Sequence, residues 1–567
     1  MPTPWWKESV VYQIYPRSFA DSNGDGIGDL RGIIHKLDYL QDLGVDVVWL
    51  SPIYQSPNDD NGYDISDYQA IMPEFGSLAD FDELLAGLHQ RGMKLVMDLV
   101  VNHTSDEHPW FLQSRQSTDN PFRDYYFWRP PRDGREPNNW ASRFGGSAWQ
   151  LDPATGEYYL HLFSRKQPDL NWDNPRVRAS VYQMMHWWLE KGIDGFRMDV
   201  INMISKTPGL PDAPAPAATG GAPVRYQLGD QYYLHGPRLL EFLGEMKREV
   251  LDHYDLMTVG ETPRVDTQQA IELTDEQNGY LSMVFQFQIA GLGAPSMDAA
   301  GQPAVATWGL ADLKQIVTRW QVDLAQRGWN SNYLSNHDQP RQVSHFGDDG
   351  QYRVASAKLL GTLNHLLRGT PYVYQGEEIG MTNVAFDTID DYRDIATLNL
   401  WHEFVDEKGF DRGLALAVAH AYSRDNARTP MQWSAEPQAG FTLGTPWLKV
   451  NPNYPAINVA QARADPDSIF HYYQRLIRLR RAHPAIVLGD YQLLLADHPQ
   501  IFAFSRALGE ERLLVVLNFS REAAVCELPA GWPHDRARLL IANYDVNPAE
   551  DIQKFTLRPW EARVYQL

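Results

Sequence analysis

Three carboxylates stand at the ends of three separate apolar runs: Asp199 in DGFRMDVI (194–201), Glu261 in DLMTVGET (255–262) and Asp338 in WNSNYLSNHD (329–338). Cleaving a glycosidic bond with retention needs such a set. One carboxylate is the nucleophile, and a carboxylic acid about 5 Å away protonates the leaving oxygen. Asp199 follows Arg197 by two residues, so in a strand both side chains share a face and the guanidinium keeps the carboxyl ionised. Glu261 lies in MTVGET, an apolar setting that raises a carboxyl's pKa and suits it to act as an acid. Any one of them alone reads as readily as half of a buried ion pair. Together with His103, which closes KLVMDLVVNH (94–103), and His337, they read as a reaction centre.

A second cluster is local. DSNGDGIGD (21–29) offers oxygens at alternate positions, from Asp21, Asn23, Asp25, Asp29 and the Ile27 carbonyl, around a glycine-bent turn. Hard cations take such oxygen sets, so the loop reads as a calcium site, with magnesium as the alternative. It is not an EF-hand, because Gly32 stands where the bidentate Glu belongs. The competing reading is an Asx/Gly turn with solvated carboxylates.

A scaffold must bring those strand ends to one rim. Short apolar runs lie at 9–16, 45–52, 94–103, 194–201, 255–262, 280–287, 329–338 and 370–380, most of them followed by a helical pattern. The first pattern is Ile33, Ile34, Leu37, Leu40 and Leu43, stopping at Gly44; the second opens on Ser77 with Asp80 as a capping box and closes at Gly92. Eight such units predict an α/β fold, a (β/α)8 TIM barrel with its active site at the C-terminal strand ends. A barrel needs about 250 residues, so insertions hold the surplus. We expect barrel residues at 1–103 and 175–483, an inserted loop-rich subdomain at 104–174, and a further insertion near 376–440. A C-terminal antiparallel β-sandwich is expected at 484–567, beginning with AIVLGDYQLLL. TPGLPDAPAPAATGGAP (207–223) reads as a mobile loop at the rim.

Composition narrows the partners. Fifty Lys and Arg against 72 Asp and Glu give a net charge of −22, which opposes nucleic-acid binding. No apolar run reaches the ~18 residues of a membrane span. Cys526 is the one cysteine, so no internal disulfide or Cys-based zinc site is expected. With no signal-peptide pattern, the expected compartment is cytoplasmic, with a periplasm as the alternative. The 18 Trp and 28 Tyr offer flat faces for sugar rings as well as core material. A monomer and a dimer are equally compatible with the sequence.

Seven stretches, in order, carry a resemblance: DLVVNH (98–103), QPDLNW (167–172), GFRMDVIN (195–202), VGET (259–262), NHDQPR (336–341), GEEIGMTN (376–383) and SRDNARTPMQW (423–433). Through them the chain resembles the alpha-amylase superfamily, nearly end to end, and within it the oligo-1,6-glucosidase branch. The resemblance implies an exo-acting retaining α-glucosidase on a small oligosaccharide or disaccharide, with Asp199 as nucleophile, Glu261 as general acid/base and Asp338 holding the sugar in its distorted transition state. It implies His103, Arg197 and His337 on the same ring, Tyr63 stacked against it with Phe163 nearby, and Asp64 and Arg428 gripping the non-reducing-end hydroxyls. Val200 resembles the members that act on α-1,6 bonds, and Gln167 points to the same branch. The cation loop would be structural.

The departures are Leu334-Ser335, where relatives carry Trp-Asn, and FQFQIAGLGA (285–294), which replaces an FQFEHM-like continuation. VSHFGDD (343–349) is similar to sucrose isomerases, but IAGLGA stands where their Arg/Asp-rich motif is expected. The competing activities are a trehalose-6-phosphate hydrolase, an α-1,4-glucosidase and a sucrose-active or transglycosylating enzyme. Non-catalytic transporter-subunit relatives carry a membrane span and lack the full carboxylate set, so that class is disfavoured.

Overall fold

Eight parallel strands form the centre of the molecule: β1 (Val11–Ile14), β2 (Val47–Leu50), β3 (Lys94–Leu99), β4 (Gly195–Met198), β5 (Met257–Glu261), β6 (Met283–Phe285), β7 (Ser331–Asn332) and β8 (Thr370–Tyr374). Each lies within one of the eight apolar runs. The computed structural model describes residues 3–214, 225–297, 303–529, 531–532, 537–547 and 550–567. The strands pair in the order β6-β5-β4-β3-β2-β1-β8-β7, and a parallel bridge from Val284 to Asn330 closes the ring. The fold is the expected (β/α)8 barrel.

The runs are continuously apolar because both faces of each strand are covered. Val11, Val47, Trp49, Val96, Met257, Val259 and Tyr372 fill one cluster inside the ring. Their chain neighbours Tyr12, Val48, Leu50, Leu95 and Met97 pack into a second cluster with Leu40, Phe81 and Trp188 of the surrounding helices.

Ser77 caps the helix Leu78–Gln90 in the expected capping box. The pattern ending at Gly44 makes two helices, Leu30–Ile34 and Leu37–Leu43, because Lys36 leaves helical geometry at φ −108°, ψ 7°. After β3 the chain makes three short antiparallel strands, Trp128–Arg129, Trp149–Asp152 and Glu157–Leu160, before the helix Pro175–Lys191. Bridges His103–Asp169 and Tyr126–Leu170 tie that excursion to the rim. After β8 come the helices Ile395–Trp401, Arg412–Tyr422 and Asp425–Arg428. Of the Pro/Ala/Gly-rich segment 207–223, residues 215–223 lie outside the described residues.

The C-terminal unit holds β9 (Asp490–Leu494), β10 (Ile501–Leu508), β11 (Glu511–Asn518), β12 (Ala524–Glu527), β13 (Arg538–Ala542), β14 (Lys554–Leu557) and β15 (Ala562–Gln566). Five strands form an antiparallel sheet in the order β9-β10-β11-β15-β13, and β12 pairs with β14. Period-two alternation sorts β10: Phe502 and Phe504 join a cluster with barrel residues Leu359 and Leu363, while Ile501 and Ala503 pack with Cys526 and Phe555. The AIVLG stretch read as a strand is instead the helix Pro484–Leu488, with proline at a first-turn position where its missing N–H costs nothing. Among the described residues, no helix is long and apolar enough to cross a membrane.

Candidate active site

The register of β3, β4 and β5 assembles the centre. Asp98 of β3 stands opposite Arg197 of β4, which stands opposite Val259 of β5. Gly195 allows that approach: its φ is +150°, and a Cβ there would lie 1.9 Å from the Met257 carbonyl oxygen. Arg197 is 2% exposed, and its Nη1 donates to Oδ1 of Asp98 and of Asp199, each at 2.7 Å. Its Nη2 pairs with Glu261 Oε2. The carboxyls of Asp199 and Glu261 also hydrogen-bond to each other.

One guanidinium thus faces three buried carboxyls, and their acidities separate. Burial pushes Glu261 up to about 8, with the charges of Asp199 and Asp338 adding to it against Arg197. Burial raises Asp199 only to about 6, because Arg197 favours its ionised form. Asp98 is raised to about 6 for the same two reasons. Burial also works to raise Asp338, yet His337, Arg424 and Arg428 together hold it well below the usual carboxylate range.

A hydrogen-bond relay runs beneath these groups. Gln13 Nε2 donates to His337 Nδ1 at 2.8 Å, which leaves the imidazole proton on Nε2. That N–H faces the Tyr63 hydroxyl oxygen at 2.7 Å and Asp338 Oδ2 at 3.2 Å. The Tyr63 hydroxyl in turn donates to Asp98 Oδ2 at 3.0 Å, and its ring stacks on His337 at 5.2 Å and 5°. Burial lowers the pKa of His337. His103 Nε2 donates to the Tyr63 carbonyl at 3.1 Å, beside the Gln167 amide and the Phe163 ring. The structure thus brings Asp199, Glu261, Asp338, His103, Arg197, His337, Tyr63, Phe163 and Gln167 into one cluster, together with Asp98 and Gln13, which the sequence reading did not name.

Two expected residues do not point where the resemblance put them. Asp64 is fully buried, and its carboxylate accepts the backbone N–H groups of Asp59 and Asp60 at 2.8 and 3.0 Å, with burial raising it to about 7. Both of its oxygens are engaged by its own turn, which it braces out of contact with solvent. Arg428 is also fully buried, donating to Asp338 Oδ1 at 2.5 Å and to the His337 carbonyl at 3.0 Å, so it acts on Asp338 itself. At the rim stands a pair the sequence reading missed: Arg424 reaches Asp60 at 3.0 Å and Asp338 at 3.4 Å, with its guanidinium over the Phe144 ring. The signal was present, since Asp60 sits in NDDNGYD and Arg424 one turn before Arg428. Asp98 was likewise visible as a lone acid within KLVMDLV.

Val200, directly after Asp199, has φ +36° and ψ +40°, a left-handed conformation that costs a β-branched residue about 1–3 kcal/mol. Packing holds it there: it is 5% exposed among Phe127, Leu162, Met203 and Tyr233. Beside Asp338 a cavity of about 580 Å³ opens between Phe287–Ser296, Asp338–Pro340 and the helices that follow β8. The divergent IAGLGA segment forms part of its wall.

In the DSNGDGIGD loop, Asp21 Oδ1 accepts from the amides of Asn23 and Gly24, and Oδ2 from that of Gly26. Asn23 and Asp25 cap the amides two residues on, and Asp29 caps the following helix. Gly26 is required, with φ +93° and a Cβ position 1.9 Å from the Thr445 carbonyl oxygen. Among the described residues no three His, Cys, Asp or Glu side chains gather as a metal cage. Asn23 Oδ1 and Asp25 Oδ1 each accept one N–H and keep a lone pair that suits a hard cation, whereas both oxygens of Asp21 and Oδ2 of Asp29 already accept two donors each.

Comparison with known proteins identifies the family. The family model for the alpha amylase catalytic domain matches residues 13–489, and that for the maltogenic amylase C-terminal domain matches 491–564. The chain is 60% identical to an oligo-1,6-glucosidase of Parageobacillus thermoglucosidasius over 567 residues, all of both chains. The crystal structure of Bacillus licheniformis trehalose-6-phosphate hydrolase is 48% identical with a TM-score of 0.91, covering all of both chains. That of an isomaltulose synthase from Protaminobacter rubrum is 43% identical with a TM-score of 0.93, covering 100% of this chain and 99% of that one. The chain belongs to the alpha-amylase family of glycoside hydrolases, on its oligo-1,6-glucosidase-like branch.

Proposed function

We propose that the protein is an exo-acting, retaining α-glucosidase that releases glucose from the non-reducing end of isomaltose and short isomalto-oligosaccharides. The observation that carries this reading is the Asp199–Glu261 pair under Arg197, one carboxyl inclined to ionise and its neighbour inclined to keep its proton. Asp199 attacks C1 while Glu261 protonates the glycosidic oxygen, and a glucosyl ester forms on Asp199. Glu261, now ionised, takes a proton from water as that water attacks C1 and frees Asp199. Asp338, fixed by Arg428 and His337, holds the ring hydroxyls, and Tyr63 presents its face to the sugar. Asp60 and Arg424 join the two sides of the rim at the glucose end.

Two observations favour a neutral α-1,6 substrate. Val200 directly follows the nucleophile and is held in place by its packing among Phe127, Leu162 and Met203; in this reading it crowds an α-1,4 aglycone, worth about 1–3 kcal/mol of linkage discrimination. Among the described residues lining the cavity by Asp338 there is no Lys or Arg, the charge a phosphosugar would need. The DSNGDGIGD loop holds a structural divalent cation, calcium or magnesium, through Asp21, Asn23, Asp25, the Ile27 carbonyl and Asp29. The deciding measurement is initial glucose release from isomaltose, maltose, sucrose and trehalose-6-phosphate at equal concentration. Isomaltose leads if the reading holds. A lead by trehalose-6-phosphate overturns the substrate assignment, and a lead by maltose or sucrose overturns the role of Val200.

A further inference from the structure

His337 and Asp338 lie in a short loop after β7, and side chains fasten that loop at both ends. Before them Ser335, which stands at one of the departures from relatives, is buried and donates to Glu377 Oε1 at 2.6 Å. After them Arg341 donates to the carbonyls of Gln375, Asn426 and Ala427 at 2.5, 3.1 and 2.9 Å. Glu377 belongs to the turn Glu377–Ile379 that follows β8, and it has no part in the proposed reaction.

Glu377 and Glu378 are both buried beside Arg341, and they are satisfied unequally. Glu378 accepts the hydroxyls of Tyr12 and Tyr39 at 2.6 and 2.5 Å and the Gly376 N–H at 2.8 Å, three donors that suit an anion. Glu377 has only the Ser335 hydroxyl on Oε1; its Oε2 is buried without a partner among the described residues, and so is Gln342 Oε1. Two buried acceptors left unpaired are unfavourable, and one proton held between them would satisfy both. The two residues share a neighbour in Tyr473: the Gln342 amide donates to its hydroxyl at 2.8 Å, and the charge of Glu377 acts on the same group. Burial raises Glu377 to about 8, with the charge of Glu378 adding to it against the Ser335 hydrogen bond and Arg341.

We propose that Glu377 is a positioning residue for Asp338, holding Ser335 through Oε1 and Gln342 through a proton on Oε2. Asp338 stands three residues after the first of these and four before the second, so both ends of its loop are tied to one side chain on the turn after β8. The inference rests on the α-glucosidase reading for what Asp338 does with the sugar. Glu377 itself touches no substrate; it acts as a neutral acid, one oxygen accepting and the other donating.

The test is kcat and KM for isomaltose, together with Tm, on the Ser335→Ala, Glu377→Gln and Glu377→Leu variants. Ser335→Ala and Glu377→Leu should lower kcat about tenfold, and by more than they raise KM, because Asp338 is needed most in the distorted transition state. Glu377→Gln supplies the same carbonyl to Ser335 and an N–H to Gln342 without a charge, so it should keep kcat within about twofold. A Ser335→Ala variant with unchanged kcat and KM and a lower Tm overturns the proposal. So does a Glu377→Gln variant as slow as Glu377→Leu, since an anion would then be what the site needs. The proton is also read without turnover. The infrared difference between the unaltered protein and Glu377→Gln at neutral pH should contain the band of a protonated carboxyl, and a carboxylate band in its place overturns the proposal. If isomaltose and other α-glucosides are not hydrolysed, the parent reading fails, and the infrared band alone judges Glu377.

Discussion

Asp98 stands directly opposite Arg197 across the parallel pairing of β3 and β4, with 2.7 Å between its Oδ1 and the guanidinium. The same carboxylate accepts the Tyr63 hydroxyl and, at 3.3 Å, the Trp49 indole N–H. Asp98 therefore fixes two residues proposed to touch the sugar without being placed to touch it. It is a positioning residue, and strand register puts it there.

Asp98→Asn should lower kcat by about a hundredfold through misplacement of Arg197 and Tyr63. It should also move the acid limb of the pH–rate profile downward, because Arg197, relieved of one anion, favours ionised Asp199 more strongly. A slower enzyme with an unmoved acid limb would leave Asp98 a merely structural role.

The reaction needs Asp199 ionised and Glu261 protonated. Asp199 loses its charge below about 6 and Glu261 loses its proton above about 8, so the rate should be bell-shaped with its plateau between them. Glu261→Gln should remove the alkaline limb and cut kcat by about 10²–10⁴-fold. An alkaline limb that survives in this variant would assign the proton to another group.

Asp60 and Arg424 should act as a unit. Arg424→Ala and Asp60→Ala should each raise KM for isomaltose more than they lower kcat. The double variant should fall short of the sum of the two effects by about 0.5–3 kcal/mol. Additive losses would show that the ion pair is not a shared grip on substrate.

Chelation should destabilise the fold. A cation present at about a hundred times its Kd contributes about 2.7 kcal/mol, which lowers Tm by several degrees when it is removed. Asp25→Ala should abolish the chelator's effect and leave kcat for isomaltose within about twofold. Elemental analysis that finds no bound metal, with Tm indifferent to chelator, excludes the site.

Val200→Thr keeps the branched shape, and with it the backbone strain, while placing a hydroxyl in the apolar wall. The ratio of kcat/KM for isomaltose to that for maltose should fall about tenfold or more, on a 1–3 kcal/mol effect. A ratio that does not change while Tm falls would make Val200 a packing residue only.

The barrel was legible because its strands are covered on both faces, which leaves continuous apolar runs that length and punctuation separate. The Arg197–Asp199 pairing was legible because two residues along a strand share a face. The roles of Asp64 and Arg428 were not. Whether a carboxylate points at substrate or at the N–H groups of its own turn depends on the turn's geometry, here φ values of +68° at Asn58 and +48° at Asn61. Arg424 and Arg428, one turn apart in SRDNARTP, are told apart only by which of them the fold buries completely. The helix at Pro484–Leu488 was misread because a five-residue apolar run carries no periodicity that separates helix from strand.

Arg197's shared hold has a consequence for charge conservation along the proposed reaction. Before attack, Asp98 and Asp199 are anionic and Glu261 is neutral. Once the ester forms, Asp199 is neutral and Glu261, its proton given to the leaving oxygen, is anionic. Of the three carboxyls paired with Arg197, two are negative at both stages, so no ion is gained or lost in a region of low polarisability. The charge moves from one nitrogen of Arg197 to the other, between partners already hydrogen-bonded to it, and water has no part in the transfer.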